Sequence, residues 1–216
     1  MTPPRRPRVL LADDHLLVAE ALKSLLTAEF HLVGVVEDGR ALVEAAGRLR
    51  PDVIVADVTM PHLNGIDALI QLRQGGNNVP VVFLTMHRDA TFARRALEAG
   101  ASGYVLKHSA SVELITAIHV ALEGKTYLTP QLTGEVLEAM QQGPKRAADP
   151  VGSLTPRQRE VFQLLAEGLA AKQIATKLSI SARTVEFHKY QMMEALDLHN
   201  NAELVHFAIK NGLVEF

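Results

Sequence analysis

The chain contains no cysteine among its 216 residues, which excludes disulfide bonds, thiol catalysis and cysteine-bound zinc. It also lacks any apolar run near the ~20 residues that a membrane-spanning helix requires. No export signal is evident, because Asp13 and Asp14 interrupt the first apolar run after only a few residues. These absences predict a soluble, cytoplasmic protein that does not contact a membrane.

The chain also lacks a large excess of either basic or acidic residues. The formal net charge is −2, and residues 151–216 hold seven basic and seven acidic residues. Bulk charge therefore gives no argument for nucleic-acid binding. Any DNA-binding function must depend on where the basic side chains lie.

What the chain does have is hydrophobic sequence, 48% of its residues, arranged in two different patterns. In the first half, five short runs rich in Val, Ile and Leu alternate with five segments of helical periodicity. The apolar runs are Arg8–Ala12, His31–Val36, Val53–Ala56, Val81–Thr85 and Gly103–Leu106. Five strand-then-helix repeats predict an α/β fold with a doubly wound, five-stranded parallel sheet.

The pattern changes after Leu122. Pro130–Met140 has the spacing of one more helix, and residues 141–150 are polar with two prolines, which indicates an exposed linker. From residue 153 onward the periodicity is helical throughout, so we predict a small all-α domain. Its predicted helices are Pro156–Glu167, Ala171–Leu178, Ala182–Leu196 and Ala202–Lys210.

Polar residues follow the predicted strands where those strands end, and they are Asp13, Asp14, Asp57, Thr85 and Lys107. Ligands of open parallel sheets bind at these carboxyl ends, so the side chains should meet in one crevice. Three clustered carboxylates repel one another unless a cation is bound, and Mg²⁺ prefers oxygen ligands. One aspartate could then act as a nucleophile and form an acyl phosphate, with Lys107 and Thr85 meeting the phosphoryl oxygens.

In the tail, Gln173–Leu178, the turn Ser179–Ser181 and the helix Ala182–Leu196 fit a helix-turn-helix, whose second helix would enter the DNA major groove. Ile174, Ala175, Leu178, Ile180 and Val185 would make its internal contacts. The candidate DNA-contacting residues are Lys172, Arg183, Thr184, Glu186, Phe187, Lys189 and Tyr190. A dimerising helical bundle with a solvated charged face fits the same periodicity, so the spacing leaves both interpretations open.

Longer motifs resemble known families. The segments Leu10–His15, Val53–Pro61 with Gly65, Leu84–His87 and Gly100–Lys107 resemble the receiver domain of two-component systems. The segments Leu154–Val161, Leu165–Leu169, Lys172–Ala175 and Ile180–His188 resemble the LuxR-type DNA-binding domain. Together they make the chain similar to response regulators of the NarL/FixJ class.

This resemblance implies a domain order. A short extension (1–7) would precede a flavodoxin-like receiver (8–124). A linker with a possible helix (125–152) would connect it to a LuxR-type domain (153–216).

The resemblance also implies functional roles. Asp57 would accept phosphate from a sensor histidine kinase, and Mg²⁺ would be held by Asp13, Asp14, Asp57 and the Thr59 carbonyl. Thr85 would move toward the phosphoryl group while the Tyr104 ring turns inward. The protein would be a transcriptional regulator rather than an enzyme. Its partners would be DNA, the kinase, a second copy of the phosphorylated chain and RNA polymerase.

The sequence departs from the LuxR pattern at three places. Ala170-Ala171 replaces a hydroxyl residue and Asn, Glu194-Ala195 replaces basic residues, and Tyr190 is bulkier than usual. These changes remove phosphate-contacting groups and add an acid. They predict weak, strongly salt-sensitive DNA binding or a strong dependence on dimerisation.

Two functions compete with transcriptional regulation. A metal-dependent phosphatase or phosphotransferase could use the same acidic pocket. However, Val58-Thr59 supplies no second acid two residues after Asp57 for general acid catalysis. A protein-interaction module whose tail only dimerises is the other alternative.

Overall fold

The computed structural model describes residues 5–86, 88–141 and 150–214. The chain forms two compact units, which divide near residue 143. Within the described ranges, no helix is both long enough and apolar enough to cross a membrane. His87, which ends one of the receiver-like motifs, lies outside these ranges.

The first unit is built on a six-stranded parallel sheet. Its strands are β1 (Arg8–Ala12), β2 (His31–Val36), β3 (Val53–Ala56), β4 (Val81–Thr85), β5 (Gly103–Leu106) and β6 (Tyr127–Leu128). They lie in the order β2-β1-β3-β4-β5-β6. The chain places β2 on one side of β1 and all later strands on the other side, so the strand order reverses between β1 and β3. Open α/β sheets bind ligands at such a point.

The prediction of five strands was wrong by one. The missed strand, β6, pairs Tyr127 with Gly103 and Leu128 with Tyr104. Two residues are too few to show an alternating or continuous apolar pattern, so periodicity cannot reveal such a strand. The other five strands have the predicted bounds.

Six α-helices accompany this sheet in the described part of the chain: α1 (Leu16–Glu29), α2 (Gly39–Leu49), α3 (Gly65–Gln74), α4 (Ala90–Glu98), α5 (Ala110–Leu122) and α6 (Pro130–Gln141). Asp38, Asn64 and Asp89 cap α2, α3 and α4 by accepting hydrogen bonds from first-turn amides. The side chains of α1 and α5 form one core with inward residues of the strands, such as Val55 and Leu84. α6 packs against α4.

The second unit is a helical bundle of α7 (Pro156–Ala166), α8 (Ala171–Leu178), α9 (Ala182–Ala195) and α10 (Asn201–Lys210). A capping box begins α7, with the Thr155 amide donating to Gln158 Oε1 at 2.8 Å and the Gln158 amide to Thr155 Oγ1 at 3.2 Å. α7 contacts the other three helices, and Phe162 meets Phe207 edge-on. The predicted helix bounds agree with these to within one residue.

Candidate phosphorylation pocket and DNA-binding face

The acidic residues meet at the switch point between β1 and β3. Asp13 and Asp14 follow β1, and Asp57 follows β3. Ligand atoms of Asp13, Asp14, His15 and Asp57 all lie within 4.8 Å of one another. We call Asp13, Asp14 and Asp57 the acidic pocket. Asp13 and Asp57 are buried and Asp14 is exposed, so the pocket opens to solvent at one side.

Lys107 supplies the positive charge of the pocket. Its Nζ atom lies 2.5 Å from Asp57 Oδ2 and 2.9 Å from Asp13 Oδ2, and its side chain is only 8% exposed. Burial alone would lower the pKa of Lys107. The attraction and hydrogen bonds of Asp57 and Asp13 outweigh that effect and raise the pKa above its usual value. Lys107 is therefore charged and is held between two carboxylates.

The remaining predicted pocket residues lie around Asp57. The Thr59 amide donates to Asp57 Oδ1 at 3.4 Å. Thr85 and Tyr104 are fully buried, so the Tyr104 ring occupies the inward position. Burial raises the pKa of Tyr104 far above its usual range, while a hydrogen bond from Thr85 acts in the opposite direction.

Position 65 requires glycine because there is no space for a side chain, and not because the backbone needs a left-handed conformation. A Cβ atom at this position would lie 2.1 Å from the Asp57 carbonyl oxygen. The Gly65 amide donates to the Val58 carbonyl at 2.8 Å, which holds the start of α3 against the loop that carries Asp57. Any larger residue would displace the backbone of the central aspartate.

Sequence reasoning gave no role to His15 or to the hydrogen-bonded pair of Thr129 and Glu113. His15 Nδ1 lies 3.0 Å from Asp14 Oδ1, and its amide donates to Asp13 Oδ1 at 2.9 Å. The buried Thr129 hydroxyl donates to Glu113 Oε2 at 2.8 Å and accepts from the Leu106 amide at 3.3 Å. His15 was visible in the sequence as the neighbour of two aspartates. The contacts of Thr129 span 16 and 23 residues and left no local signal.

The donor chemistry of the acidic pocket suits a hard divalent cation. Carboxylates dominate the cluster, and oxygen is the donor that Mg²⁺ prefers. The residues present therefore fit the magnesium ion that the sequence analysis predicted. Asp13, Asp14 and Asp57 would hold it, together with the Thr59 carbonyl.

In the second unit, α8 and α9 are joined by a tight turn. Ser179 adopts a left-handed conformation with φ 54°, and the Ser181 hydroxyl caps α9 by accepting from the Thr184 amide at 3.0 Å. The predicted internal contacts are confirmed. Ile174, Ala175, Leu178 and Val185 are buried in one cluster, and Ile180 packs against it. The pair has the arrangement of a helix-turn-helix.

The exposed face of α9 carries some of the predicted DNA-contacting residues. At 100° per residue, Arg183, Phe187, Tyr190 and Glu194 lie within about 60° of one another, opposite the buried Val185 and Met192. We call these four residues the α9 ridge. Arg183, Phe187, Tyr190 and Glu194 are all exposed.

The other predicted contacts lie beside or away from this ridge. Glu186 is exposed on its flank, whereas Lys189 and Thr184 are half-buried. The Thr184 hydroxyl is hydrogen-bonded to the hydroxyl of Ser181, the residue that caps α9. Lys172 is exposed in the first turn of α8.

Comparisons with known protein families agree with these two sites. Residues 9–119 match the family model of the response regulator receiver domain, and residues 152–208 match that of the bacterial regulatory proteins of the luxR family. The chain belongs to the NarL/FixJ class of two-component response regulators.

Full-length relatives share this organisation. The transcriptional regulatory protein DegU of Brevibacillus brevis is 33% identical over 96% of this chain and 95% of its own length. The oxygen regulatory protein NreC of Staphylococcus carnosus is 31% identical over 97% of this chain and all of its own length. Both relatives are named as regulatory proteins, and the family models that match this chain are those of transcriptional regulators, which does not support the phosphatase alternative.

A solved structure extends the similarity to a protein on DNA. RcsB of Salmonella enterica serovar Typhimurium, bound to promoter P1flhDC in the presence of the phosphomimetic BeF₃⁻, superposes with a TM-score of 0.58 at 27% identity. The match covers 94% of this chain and 98% of that one. This response regulator is accordingly a DNA-binding transcriptional regulator of a two-component system.

Proposed function

We propose that Asp57 accepts a phosphoryl group from a sensor histidine kinase and that this modification controls dimerisation and promoter binding. The observation that carries the proposal is the position of Asp57. Its carboxylate lies in the acidic pocket, 2.5 Å from the charged Lys107. A carboxylate so placed can receive an anionic group that bare acidic residues would repel.

Phosphoryl transfer from the kinase histidine to Asp57 needs no further reactant. One Asp57 carboxylate oxygen attacks phosphorus, and the bond from phosphorus to the kinase histidine nitrogen breaks, with the electron pair returning to nitrogen. When bound, Mg²⁺ would offset negative charge between donor and acceptor. The ammonium of Lys107 and the hydroxyl of Thr85 pair with the new phosphoryl oxygens.

Phosphorylation adds about −1.5 to −2 charges and three strong acceptors to the pocket. Thr85 and Tyr104 stand on neighbouring strands and are hydrogen-bonded to each other. A shift of Thr85 toward the phosphoryl group therefore acts directly on the space that the Tyr104 ring occupies. We propose that this pair carries the signal to the surface formed by α4 and β5.

The output is DNA binding by a phosphorylated homodimer. α9 would enter the major groove, and two half-sites one helical turn apart would be separated by roughly 34 Å. A regulator that binds promoters would act in the cytoplasm, where the bacterial chromosome lies. Its further partner would be RNA polymerase. Lys172 and Arg183 are the exposed cations that we assign to phosphate or guanine contacts.

We also propose a refined domain division. The receiver would span residues 8–124, preceded by the extension 1–7, and the LuxR-type domain residues 153–216. Between them, β6 extends the sheet and α6 packs against α4. The part of the 125–152 segment up to Gln141 would therefore belong with the receiver sheet and its helices.

Phosphorylation with a small-molecule donor tests the proposal. The full chain is incubated with acetyl phosphate and Mg²⁺, its intact mass is measured, and promoter fragments are then captured from fragmented genomic DNA. Wild type should gain one phosphoryl group and capture specific fragments. Asp57→Ala should gain none and capture only the basal amount.

The control is Asp197→Asn, which alters an aspartate whose side chain is 97% exposed in the second unit. It should behave as wild type. Metal-dependent labelling of Asp57→Ala, or unchanged fragment capture by that variant, would disprove the assignment of Asp57.

A further inference from the structure

The α9 ridge presents two large aromatic side chains to solvent. Phe187 is 56% exposed and Tyr190 is 68% exposed. Both lie on the face opposite Val185 and Met192, which are buried in the core of the second unit. Because the helix is already anchored by that core, the packing of this unit does not explain the two exposed rings.

The charges around these rings distinguish the ridge from an ordinary basic DNA-binding face. Arg183 lies one turn before Phe187, whereas Glu186 flanks the rings and Glu194 follows them. Arg183 and Glu186 are both exposed. The central part of the ridge is therefore apolar, with a cation only at its N-terminal end.

We propose that Phe187 and Tyr190 determine the operator sequence by packing against thymine C5-methyl groups in the major groove. The inference rests on the proposed DNA-binding function of α9 and names what that helix reads. Thymine alone offers a methyl group in the major groove, and apolar side chains are its recognised readers. Three residues advance a helix by about 4.5 Å, close to the ~3.4 Å step between bases. The two rings can thus face adjacent base pairs.

A second copy of this chain is the competing occupant of the ridge. Two antiparallel ridges could set Arg183 of each chain beside Glu194 of the other. The position of the rings favours DNA, because α9 is the second helix of the helix-turn-helix and its N-terminal part enters the groove in such motifs. Arg183 at that end is then available to a phosphate or guanine.

Uracil substitution isolates the methyl group from every other feature of thymine. The full chain, treated with beryllofluoride and Mg²⁺, first selects duplexes from a random-sequence library. Each thymine of the enriched site is then replaced by deoxyuridine, which removes the methyl group and keeps all hydrogen-bonding groups. Affinities are measured by fluorescence anisotropy, and the oligomeric state by light scattering.

Wild type should lose affinity roughly fourfold at each thymine that is read, the equivalent of one buried methyl-sized group. Phe187→Ala should bind thymine and uracil equally at one position, and Tyr190→Ala at the adjacent one. The matched control is Ile209→Ala, which truncates an exposed apolar residue of α10 away from the ridge. It should keep the wild-type sensitivity to uracil.

The outcomes separate this inference from the proposed function. A wild-type chain that enriches no sequence would overturn both. Enrichment without any uracil sensitivity, or equal sensitivity in wild type and both alanine variants, would overturn the methyl readout alone. Variants that change the oligomeric state but not the uracil response would assign the ridge to contacts between copies of the chain.

Discussion

Lys107 is the residue on which the electrostatics of the acidic pocket depend. Its ammonium contacts both buried carboxylates, Asp13 and Asp57. A buried carboxylate that loses its partner is costly because neither solvent nor another charge compensates it. The ammonium of Lys107 offsets the negative charge of the same two carboxylates that a metal ion would bind. The ammonium and a bound cation therefore compete for Asp13 and Asp57.

We predict that Lys107→Met destabilises the metal-free protein by about 2 kcal/mol and increases its affinity for Mg²⁺. The destabilisation is smaller than the full cost of an unpaired buried charge, because the pocket opens to solvent at Asp14. Removing the ammonium also removes its repulsion of Mg²⁺. Urea unfolding in EDTA and across a Mg²⁺ titration measures both effects, since binding to the folded state raises the free energy of unfolding.

Lys125→Met is the control for this prediction, because Lys125 forms an exposed ion pair with Glu123. We expect it to leave both the stability and the Mg²⁺ response unchanged. Equal or weaker Mg²⁺ binding by Lys107→Met would show that the ammonium does not compete with the metal.

Most pocket residues could be predicted from sequence because each ends a strand. Asp13, Asp57, Thr85 and Lys107 directly follow or terminate apolar runs, and parallel strands bring their carboxyl ends to one edge. The pairing of Lys107 with two acids at once was not predictable, because it depends on side-chain direction. The Thr129 contacts were missed for the same reason.

At the scale of elements, helix ends were predictable where a side chain supplies the cap. Thr155 and Ser181 precede α7 and α9 and accept from first-turn amides. α8 is different. Ala170 stands at its N-cap and offers no side-chain acceptor, although the Ala170 amide donates a hydrogen bond to Gln173 Oε1 at 2.8 Å. Half of a capping box is present and the other half is missing.

We predict that Ala170→Ser stabilises α8 by about 1 kcal/mol, because its hydroxyl would accept a hydrogen bond from a first-turn amide, which the alanine side chain cannot do. The backbone already has the extended conformation of a cap, with φ −72° and ψ 151°. Amide hydrogen exchange of the full chain, followed by mass spectrometry of α8 peptides, measures the change. Ser181→Ala should destabilise the start of α9 by a similar amount. Unchanged protection of α8 in Ala170→Ser would contradict the capping argument.

The short strand β6 is the element that periodicity could not reveal, and Thr129 at its end shows what holds it. The hydroxyl is fully buried, donates to Glu113 on α5 and accepts from the Leu106 amide at the end of β5. Tyr127 also donates to Glu113, at 3.1 Å. β6 is thus defined by contacts with α5 and β5 and not by its own two residues.

We predict that Thr129→Val lowers the free energy of unfolding of the first unit by about 1–3 kcal/mol. Valine keeps the shape but leaves the Leu106 amide without its acceptor and removes one donor to Glu113. Thr129→Ser retains the hydroxyl and should lose much less. Differential scanning calorimetry compares the three chains. If the valine variant melted with wild type, the hydroxyl would have no part in holding β6.

At the scale of the whole molecule, charge limits how the protein binds DNA. The net charge is −2, and residues 151–216 carry as many acidic as basic residues. A DNA-binding unit without net positive charge makes few phosphate contacts, so few counterions are released on binding and the affinity should depend only weakly on salt. The loss of phosphate-contacting groups therefore favours dependence on dimerisation over strong salt sensitivity, the two outcomes that the departures from the LuxR pattern left open. Specific base contacts and the pairing of two chains must then supply much of the binding energy.

Glu194, on the α9 ridge, gives a direct test of this limit. We predict that Glu194→Lys tightens DNA binding and steepens the dependence of log K on log salt concentration by about 0.9 for each new phosphate contact. The gain should shrink roughly 3.5-fold per contact between 50 and 200 mM salt, since it comes from counterion release. The measurement is an anisotropy titration of the beryllofluoride-treated full chain at several salt concentrations.

Glu44→Lys, on the exposed face of α2, makes the same change in net charge on the first unit and should alter neither affinity nor slope. If both variants steepened the slope equally, long-range charge would govern binding and the position of Glu194 on the ridge would not matter.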